Sequence, residues 1–241
     1  MVEYNFFREK IAHYFNKYGL HCSEGIIDDF YAFTAYLISE NGKYNLTAIT
    51  DPDEMITKHH IDSILLLKYF EIPKGAKLID IGTGAGFPAL PLYIMRKELR
   101  ITCLDSTGKK INFVKNAAGK IGGRDFAFYC GRAEDYGRHP GLREGYDLAV
   151  SRAVAKLAVL CELAAPFVRP GGHIVAYKSK NAGDEIAGAQ SALKTLGLDI
   201  AEVIEFELEE THKRSLVIIR KLYPTPPRYP RPYREITKHP L

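Results

Sequence analysis

Long apolar runs are scarce in this chain. Those present, such as Ile64 to Leu67 and Leu148 to Val150, stop far short of the ~20 residues a helix needs to cross a bilayer. No transmembrane helix is expected. The start, Met1-Val2-Glu3-Tyr4, carries Glu3 and Glu9 ahead of any apolar stretch, so the basic and apolar regions of a secretion signal are lacking. The expected location is cytoplasmic, with no membrane partner. Cysteine is also sparse: Cys22, Cys103, Cys130 and Cys161 lie 81, 27 and 31 residues apart, which is neither a disulfide framework nor metal-binding spacing. They read as reduced thiols, most of them in the core. What is present, 46% hydrophobic and 26% charged residues, excludes a disordered or collagen-like chain.

Charge is unevenly distributed. The formal net charge is +4, yet Lys213 to Leu241 carries +7 and the remainder −3. A basic ending on a slightly acidic body suits a polyanionic partner engaged at one place. A merely solvated tail is the competing interpretation.

Up to about Phe70 apolar residues recur at helical spacing, through Phe6, Phe7, Ile11 and Phe15 and then Ile26, Ile27, Phe30 and Phe33. Asp51-Pro52-Asp53-Glu54 reads as a helix start, and a helix is expected from Pro52 through Phe70, broken near His60. After Pro73-Lys74-Gly75 the pattern becomes strand and helix in alternation. Strands are expected over Lys77–Ile81, Arg100–Asp105, Phe126–Cys130, Tyr146–Ser151 and His173–Lys178, with helices over Ala89–Met95, Lys109–Lys120 and Lys156–Phe167. This is a doubly wound α/β sheet. Two further strands, Ile200–Leu208 and Ser215–Leu222, flank a hairpin loop over Glu209-Glu210-Thr211-His212. An antiparallel pair ending a parallel sheet belongs to the class I (Rossmann-like) methyltransferase fold rather than to the two-halved dinucleotide fold. The expected organisation is a helical N-terminal extension (1–72), a seven-stranded, mostly parallel α/β domain (73–222) and a C-terminal tail (223–241). That tail holds six of the 13 prolines together with Arg228, Arg231, Arg234 and Lys238, so it is expected to be extended, laid against the surface and suited to phosphate.

The strongest chemical signal is Asp80-Ile81-Gly82-Thr83-Gly84-Ala85-Gly86-Phe87-Pro88, directly after the first strand. Its glycines let backbone approach a ligand closely. GxGxG spacing favours S-adenosylmethionine over a dinucleotide pyrophosphate, and no Gly-Lys-Ser/Thr follows to make a P-loop. Asp105-Ser106 ends the second strand, where a carboxylate can accept from ribose hydroxyls; capping of the next helix is the alternative. Arg132-Ala133-Glu134 follows the third strand, and Ser151-Arg152-Ala153 closes the fourth at the switch point of the sheet.

Absences narrow the acceptor. The end of strand four carries no Asn/Asp-Pro-Pro-aromatic motif for an exocyclic amine, and no cysteine has the proline context of a carbon methyltransferase. Guanine N7 needs neither, because its lone pair is already free and only placement is required.

The sequence resembles the glucose-inhibited division protein B family of small-subunit ribosomal RNA guanine-N7 methyltransferases. The resemblance rests on Tyr44-Asn45-Leu46-Thr47-Ala48-Ile49, Lys58-His59-His60-Ile61-Asp62-Ser63, Asp80 to Leu92, Leu104-Asp105-Ser106, Arg132-Ala133-Glu134, Ser151-Arg152-Ala153, Tyr229-Pro230-Arg231 and Lys238-His239-Pro240-Leu241. It departs at Ala89, where glycine is usual, and at Lys178-Ser179, where Lys-Gly is usual. It implies S-adenosylmethionine contacts at Gly82, Phe87, Ala133, Glu134 and Arg152, with Asp105 on the ribose. Gly84, Gly86 and Ser106 complete the expected cofactor site.

Asn45, Lys58 and His59 are expected to line the RNA-facing mouth, with Lys178 and Arg214 as phosphate contacts. No metal is expected at His59-His60, since adjacent helical side chains point about 100° apart. The expected reaction is methyl transfer from S-adenosylmethionine to guanine N7 of small-subunit (16S) ribosomal RNA. No protein nucleophile, general base or metal takes part, and the substrate is the RNA or the ribosomal small subunit, met by a monomer. Methylation of another RNA or of a small molecule is the alternative.

Overall fold

Lys77–Ile81 (β1) is apolar at every position but its first and Asp80, and only that first residue, Lys77, is exposed. A strand covered on both faces must lie inside a parallel sheet. In the computed structural model, which describes residues 2–179, 182–209 and 212–241, β1 lies between β2 and β4 inside a seven-stranded sheet ordered β3-β2-β1-β4-β5-β7-β6. The other strands are Arg100–Asp105 (β2), Phe126–Cys130 (β3), Tyr146–Arg152 (β4), Val168–Lys178 (β5), Leu198–Leu208 (β6) and His212–Lys221 (β7). β1 to β5 pair in parallel, and β7 runs antiparallel between β5 and β6. The expected fold class is therefore observed. β5 begins five residues earlier than the apolar pattern suggested, because Arg169-Pro170-Gly171-Gly172 hides the pairing of Val168 with Tyr146.

Alternation with period two divides the core. Leu78, Leu148, Val150, Val175, Leu216 and Ile218 face one layer, and Ile79, Ala149, Ile174, Ala176, Val217 and Ile219 face the other. The first layer is built by Tyr4–Tyr18 (α1), Glu24–Tyr44 (α2), Pro52–Met55 (α3), a π-helical segment Ile56–Ile61, Asp62–Ile64 (α4), Leu66–Tyr69 (α5), Ala89–Met95 (α6) and Gly108–Lys120 (α7). Phe7, Phe15, Phe30 and Phe33, all fully buried, thus share one core with the sheet. Ser23 caps α2, and Asp51 caps α3 with Pro52 in its first turn. The break expected near His60 is the π segment, a helix irregularity of the kind that gathers at functional sites.

The second layer holds Ala133–Tyr136 (α8), Leu157–Ala164 (α9), Ala182–Ala187 (α10) and Gln190–Leu196 (α11). α9 ends before Pro166, earlier than expected.

Two expectations are corrected. The C-terminal segment lies against the body, with Tyr229 buried and Arg231 paired with Glu162, but it is not extended throughout, since Tyr233–Lys238 forms a helix (α12). Of the cysteines, Cys103 and Cys161 are buried, while Cys22 is half-buried and Cys130 exposed. Glu210 and Thr211 of the expected hairpin loop lie outside the described residues. Among those described, no helix is long and apolar enough to cross a membrane.

Candidate functional site

The carboxyl ends of β1 and β4 form the switch point of the sheet, and they are tied together by Ser151 Oγ donating to the Ile81 carbonyl at 2.9 Å. Ligands bind at such points in open α/β folds. Two cavities open here. One, of about 390 Å³, runs along the ends of β1, β2 and β3 and is lined by Gly82, Gly84, Asp105, Ser106, Ala133, Glu134 and Arg152, together with Lys110, Leu163 and Tyr233. The other, of about 550 Å³, lies on the far side of β4 and is lined by Lys58, His59, Arg152, Lys178 and Arg214, with Asp62, Tyr177 and Phe206. Both are bounded by Arg152, Ala153 and Val154. This segment is the ridge between them.

The glycine loop is shaped by carboxylates on both sides. Gly84 N–H donates to Asp105 Oδ2 at 3.0 Å, and Thr107 N–H to Asp105 Oδ1 at 2.8 Å. A carboxylate has about four acceptor sites, so Asp105 keeps lone pairs for a further donor in the cleft. Behind the loop, Asp80 Oδ2 accepts from Thr83 Oγ1 at 2.8 Å and from the Ala89 amide at 3.4 Å. Burial pushes the Asp80 carboxyl up to about 7. Gly82 has φ +71°, and a Cβ there would meet Val154 Cγ2 at 2.5 Å. Only glycine lets the ridge close on the loop.

Across the ridge, Asp62 is buried and both its oxygens are held: Oδ2 by Arg152 Nη1 at 3.2 Å and Oδ1 by Arg214 Nε at 3.2 Å. Arg152 also donates to the Lys58 carbonyl and, through Nη2, to His59 Nδ1 at 3.2 Å. Because Nδ1 must accept there, Nε2 carries the proton and donates to Thr47 Oγ1 at 2.8 Å. Burial, reinforced by the Arg152 charge, pushes His59 down to about 3. His59 stacks on Phe87 with centroids 4.6 Å apart, and the Arg152 guanidinium sits 5.1 Å from the same ring.

Several expected residues take other places. Phe87 is 5% exposed and lines neither cavity; it is the floor beneath His59 and Arg152. Gly86 is likewise behind the cleft, where a Cβ would strike Leu90 Cδ1 at 2.6 Å, so it serves helix packing. Asn45 is the left-handed C-cap of α2 at φ 49° and lines neither cavity. Lys178 Nζ donates to the Ala155 carbonyl and pairs with Glu185, both at 2.7 Å, while Glu185 also accepts the Leu157 amide. Lys178 therefore holds the ridge as well as lining the cavity. Lys58 lies on the cavity rim, paired with Glu54.

Sequence reasoning did not select Asp62, Val154 or Tyr233. Asp62 stands three residues after His59, a spacing that puts both on one helix face. Ala153 has φ +58°, which no composition signal reveals.

The sheet order, the glycine loop after β1 and the carboxylate after β2 define the class I methyltransferase fold. An S-adenosylmethionine-dependent methyltransferase from Aquifex aeolicus superposes with a TM-score of 0.55 at 15% identity, over 73% of this chain and 97% of that one. Fibrillarin from Aeropyrum pernix, solved with natively bound S-adenosyl-L-methionine, gives 0.52 at 16% identity, over 66% and 73%. The chain belongs to the family described as rRNA small subunit methyltransferase G, whose GidB model matches residues 26–217. A Clostridium botulinum (strain ATCC 19397 / Type A) protein named ribosomal RNA small subunit methyltransferase G is 46% identical over 207 residues, covering 85% of this chain and 87% of that one.

Proposed function

We propose that the protein transfers a methyl group from S-adenosylmethionine to N7 of a guanine in 16S ribosomal RNA. Family membership supports the cofactor and the class of RNA. The cleft fits the cofactor: its about 390 Å³ lies within the roughly 300–1,000 Å³ of small-molecule sites. Asp105 offers a ribose acceptor, Gly82 and Gly84 line the amino-acid end, and Ala133 and Glu134 line the base end. When bound, S-adenosylmethionine supplies an electrophilic sulfonium methyl.

The observation that carries the choice of N7 is the state of the titratable groups on the acceptor side. Both nitrogens of His59, both oxygens of Asp62 and the Lys178-paired oxygen of Glu185 are engaged within the protein. The remaining charged lining residues are cations. Such a wall orients an acceptor whose lone pair is already free, and it suits an exocyclic amine or carbon poorly because those must shed a proton. Lys58 and Arg214 suit flanking phosphates, and Phe206 with the Arg214 guanidinium suits an unstacked base. The ridge sets the approach of N7 to the methyl, and placement of this kind supplies about 7–11 kcal/mol. The products are S-adenosylhomocysteine and a cationic 7-methylguanine.

Nucleoside mass spectrometry of 16S RNA from cells with and without the gene tests the reading. One 7-methylguanosine missing in the deletion strain and restored by the purified protein supports it. Methylation at an exocyclic amine, or no change in the RNA, refutes it.

A further inference from the structure

The C-terminal segment lies beyond residues 26–217 that match the family model, and its basic residues invite a role confined to RNA. The segment is instead anchored to the body, chiefly through its backbone carbonyls. Arg143 donates to the carbonyls of Thr225, Pro226 and Tyr229, and Arg138 to those of Arg228 and Pro230. Arg231 forks onto Glu162, Nη2 to Oε2 at 2.6 Å and Nε to Oε1 at 2.9 Å, while its amide also donates to Oε1. Glu162 is fully buried. One helical turn on, Ile236 packs without exposure against Val159 and Leu163 of α9. These anchors fix one residue over the cofactor cleft. Tyr233 lines it beside Leu163, 38% exposed, with the Arg132 guanidinium 5.2 Å from its ring centroid.

The end of the cleft that Tyr233 occupies follows from the strand order. Gly82 and Gly84 stand at the end of β1, Asp105 at the end of β2, and Arg132 to Glu134 at the end of β3. An acceptor for ribose at β2 puts the amino-acid part at β1 and leaves the purine for β3, where Arg132 and Tyr233 are. We infer that Tyr233 is a cofactor-contacting residue whose ring forms the adenine-side wall of the cleft, so that the C-terminal segment is part of the cofactor site. This rests on the cleft being the S-adenosylmethionine site proposed above.

Isothermal titration of the full chain with S-adenosylhomocysteine and, separately, with adenosine tests it. Loss of a stacked aromatic weakens base binding by about tenfold or more, so Tyr233→Ala is expected to raise Kd for both ligands by that factor. Tyr233→Phe keeps the ring and is expected to bind as the wild type does; Tyr233→Leu keeps apolar bulk against α9 without a π face and is expected to bind like the alanine variant. Tyr223→Ala, at a residue 67% exposed and outside the cleft, is the control and should leave Kd unchanged. Thermal melts of each variant establish that it is folded. Equal affinity of the wild type, Tyr233→Leu and Tyr233→Ala overturns the inference and leaves the cofactor reading standing. A wild-type protein that binds neither ligand overturns the cofactor reading, and this inference with it.

Discussion

Replacing Arg152 by alanine should cost both stability and turnover. In the wild type the Arg152 and Asp62 side chains are 16% and 6% exposed, and the pair is closed at 3.2 Å. Removing one partner of a buried pair costs about 3–5 kcal/mol. Here Asp62 keeps Arg214 at 3.2 Å, so about 2–3 kcal/mol is expected, which for a chain of this size lowers Tm by roughly 4–12 °C. Turnover suffers separately. Arg152 donates to the Lys58 carbonyl and to His59 Nδ1, so its loss frees the ridge between the two cavities, and misplacement by 1 Å is worth about 100-fold in rate. Arg152→Lys should recover part of the stability and little of the rate, because an ammonium cannot reproduce the fork. Urea melts of Arg152→Ala, Asp62→Asn and the double variant give the coupling energy, and methyl incorporation into ribosomal RNA gives the rate. A coupling under about 0.5 kcal/mol with unchanged turnover would show that Arg152 neither holds the fold nor sets the geometry of transfer.

Gly82→Ala should cost about 1–3 kcal/mol from its left-handed backbone and weaken S-adenosylhomocysteine binding, since the new Cβ meets Val154 at 2.5 Å; calorimetry showing wild-type affinity contradicts this. Arg231→Ala takes both guanidinium donors from the buried Glu162 and leaves it the residue-231 amide, and should destabilise by about 3 kcal/mol. By contrast Arg234→Ala with Lys238→Ala should leave melting unchanged and lower the salt slope of RNA binding by about 0.7–0.9 for each phosphate no longer neutralised. Acid should destabilise the fold: burial holds His59 at about 3 and His60 well below 6.5, so unfolding takes up protons and stability is lost as pH falls through 6.5. Asp80, raised from 3.8 to about 7, acts in the opposite sense, its contribution being lost as pH rises towards 7. Asp62, also raised by burial, adds to the opposing side and His173, also lowered, to the acid-sensitive side, so three histidines against two carboxyls leave a net loss as pH falls below 6.5, and a flat urea midpoint between pH 6.5 and 4 would refute it.

The central strands were legible because a strand buried on both faces must be apolar throughout, as Leu78-Ile79 and Leu148-Ala149-Val150 are. The helices at 182–187 and 190–196 were not, because small residues such as Ala182, Ala189 and Ala192 pack into the layer of α9 without an apolar stripe. Within the site, Gly82, Gly84, Asp105 and Arg152 were readable from motif spacing. Motif spacing could not separate residues that face the cleft from Gly86 and Phe87, which stand behind it. Ala153 takes a left-handed backbone that nothing about alanine announces. The C-terminal segment was misread for a different reason. Its prolines favour extended local geometry, whereas Arg138, Arg143 and Glu162, each more than sixty residues away in sequence, hold it in place.

The charge asymmetry acquires a different meaning once the partners are known. Of the cations from Lys213 onward, Arg214 is held by Asp62, Lys221 is fully buried on Glu144 and Arg231 is locked on Glu162. Lys213, Arg220, Arg228, Arg234 and Lys238 face solvent. An excess of positive charge that seemed available to a polyanion is thus partly consumed in folding the ending onto α9 and β7. Lys58, Lys178 and Arg214 converge on the larger cavity beside the ridge, each of them also paired with a carboxylate, and their summed field still draws a phosphate there. Under the proposed function, substrate grip is expected at the cavity rim. The ending contributes the exposed faces of α12 and, through Tyr233, closes the cleft on the other side of the same ridge.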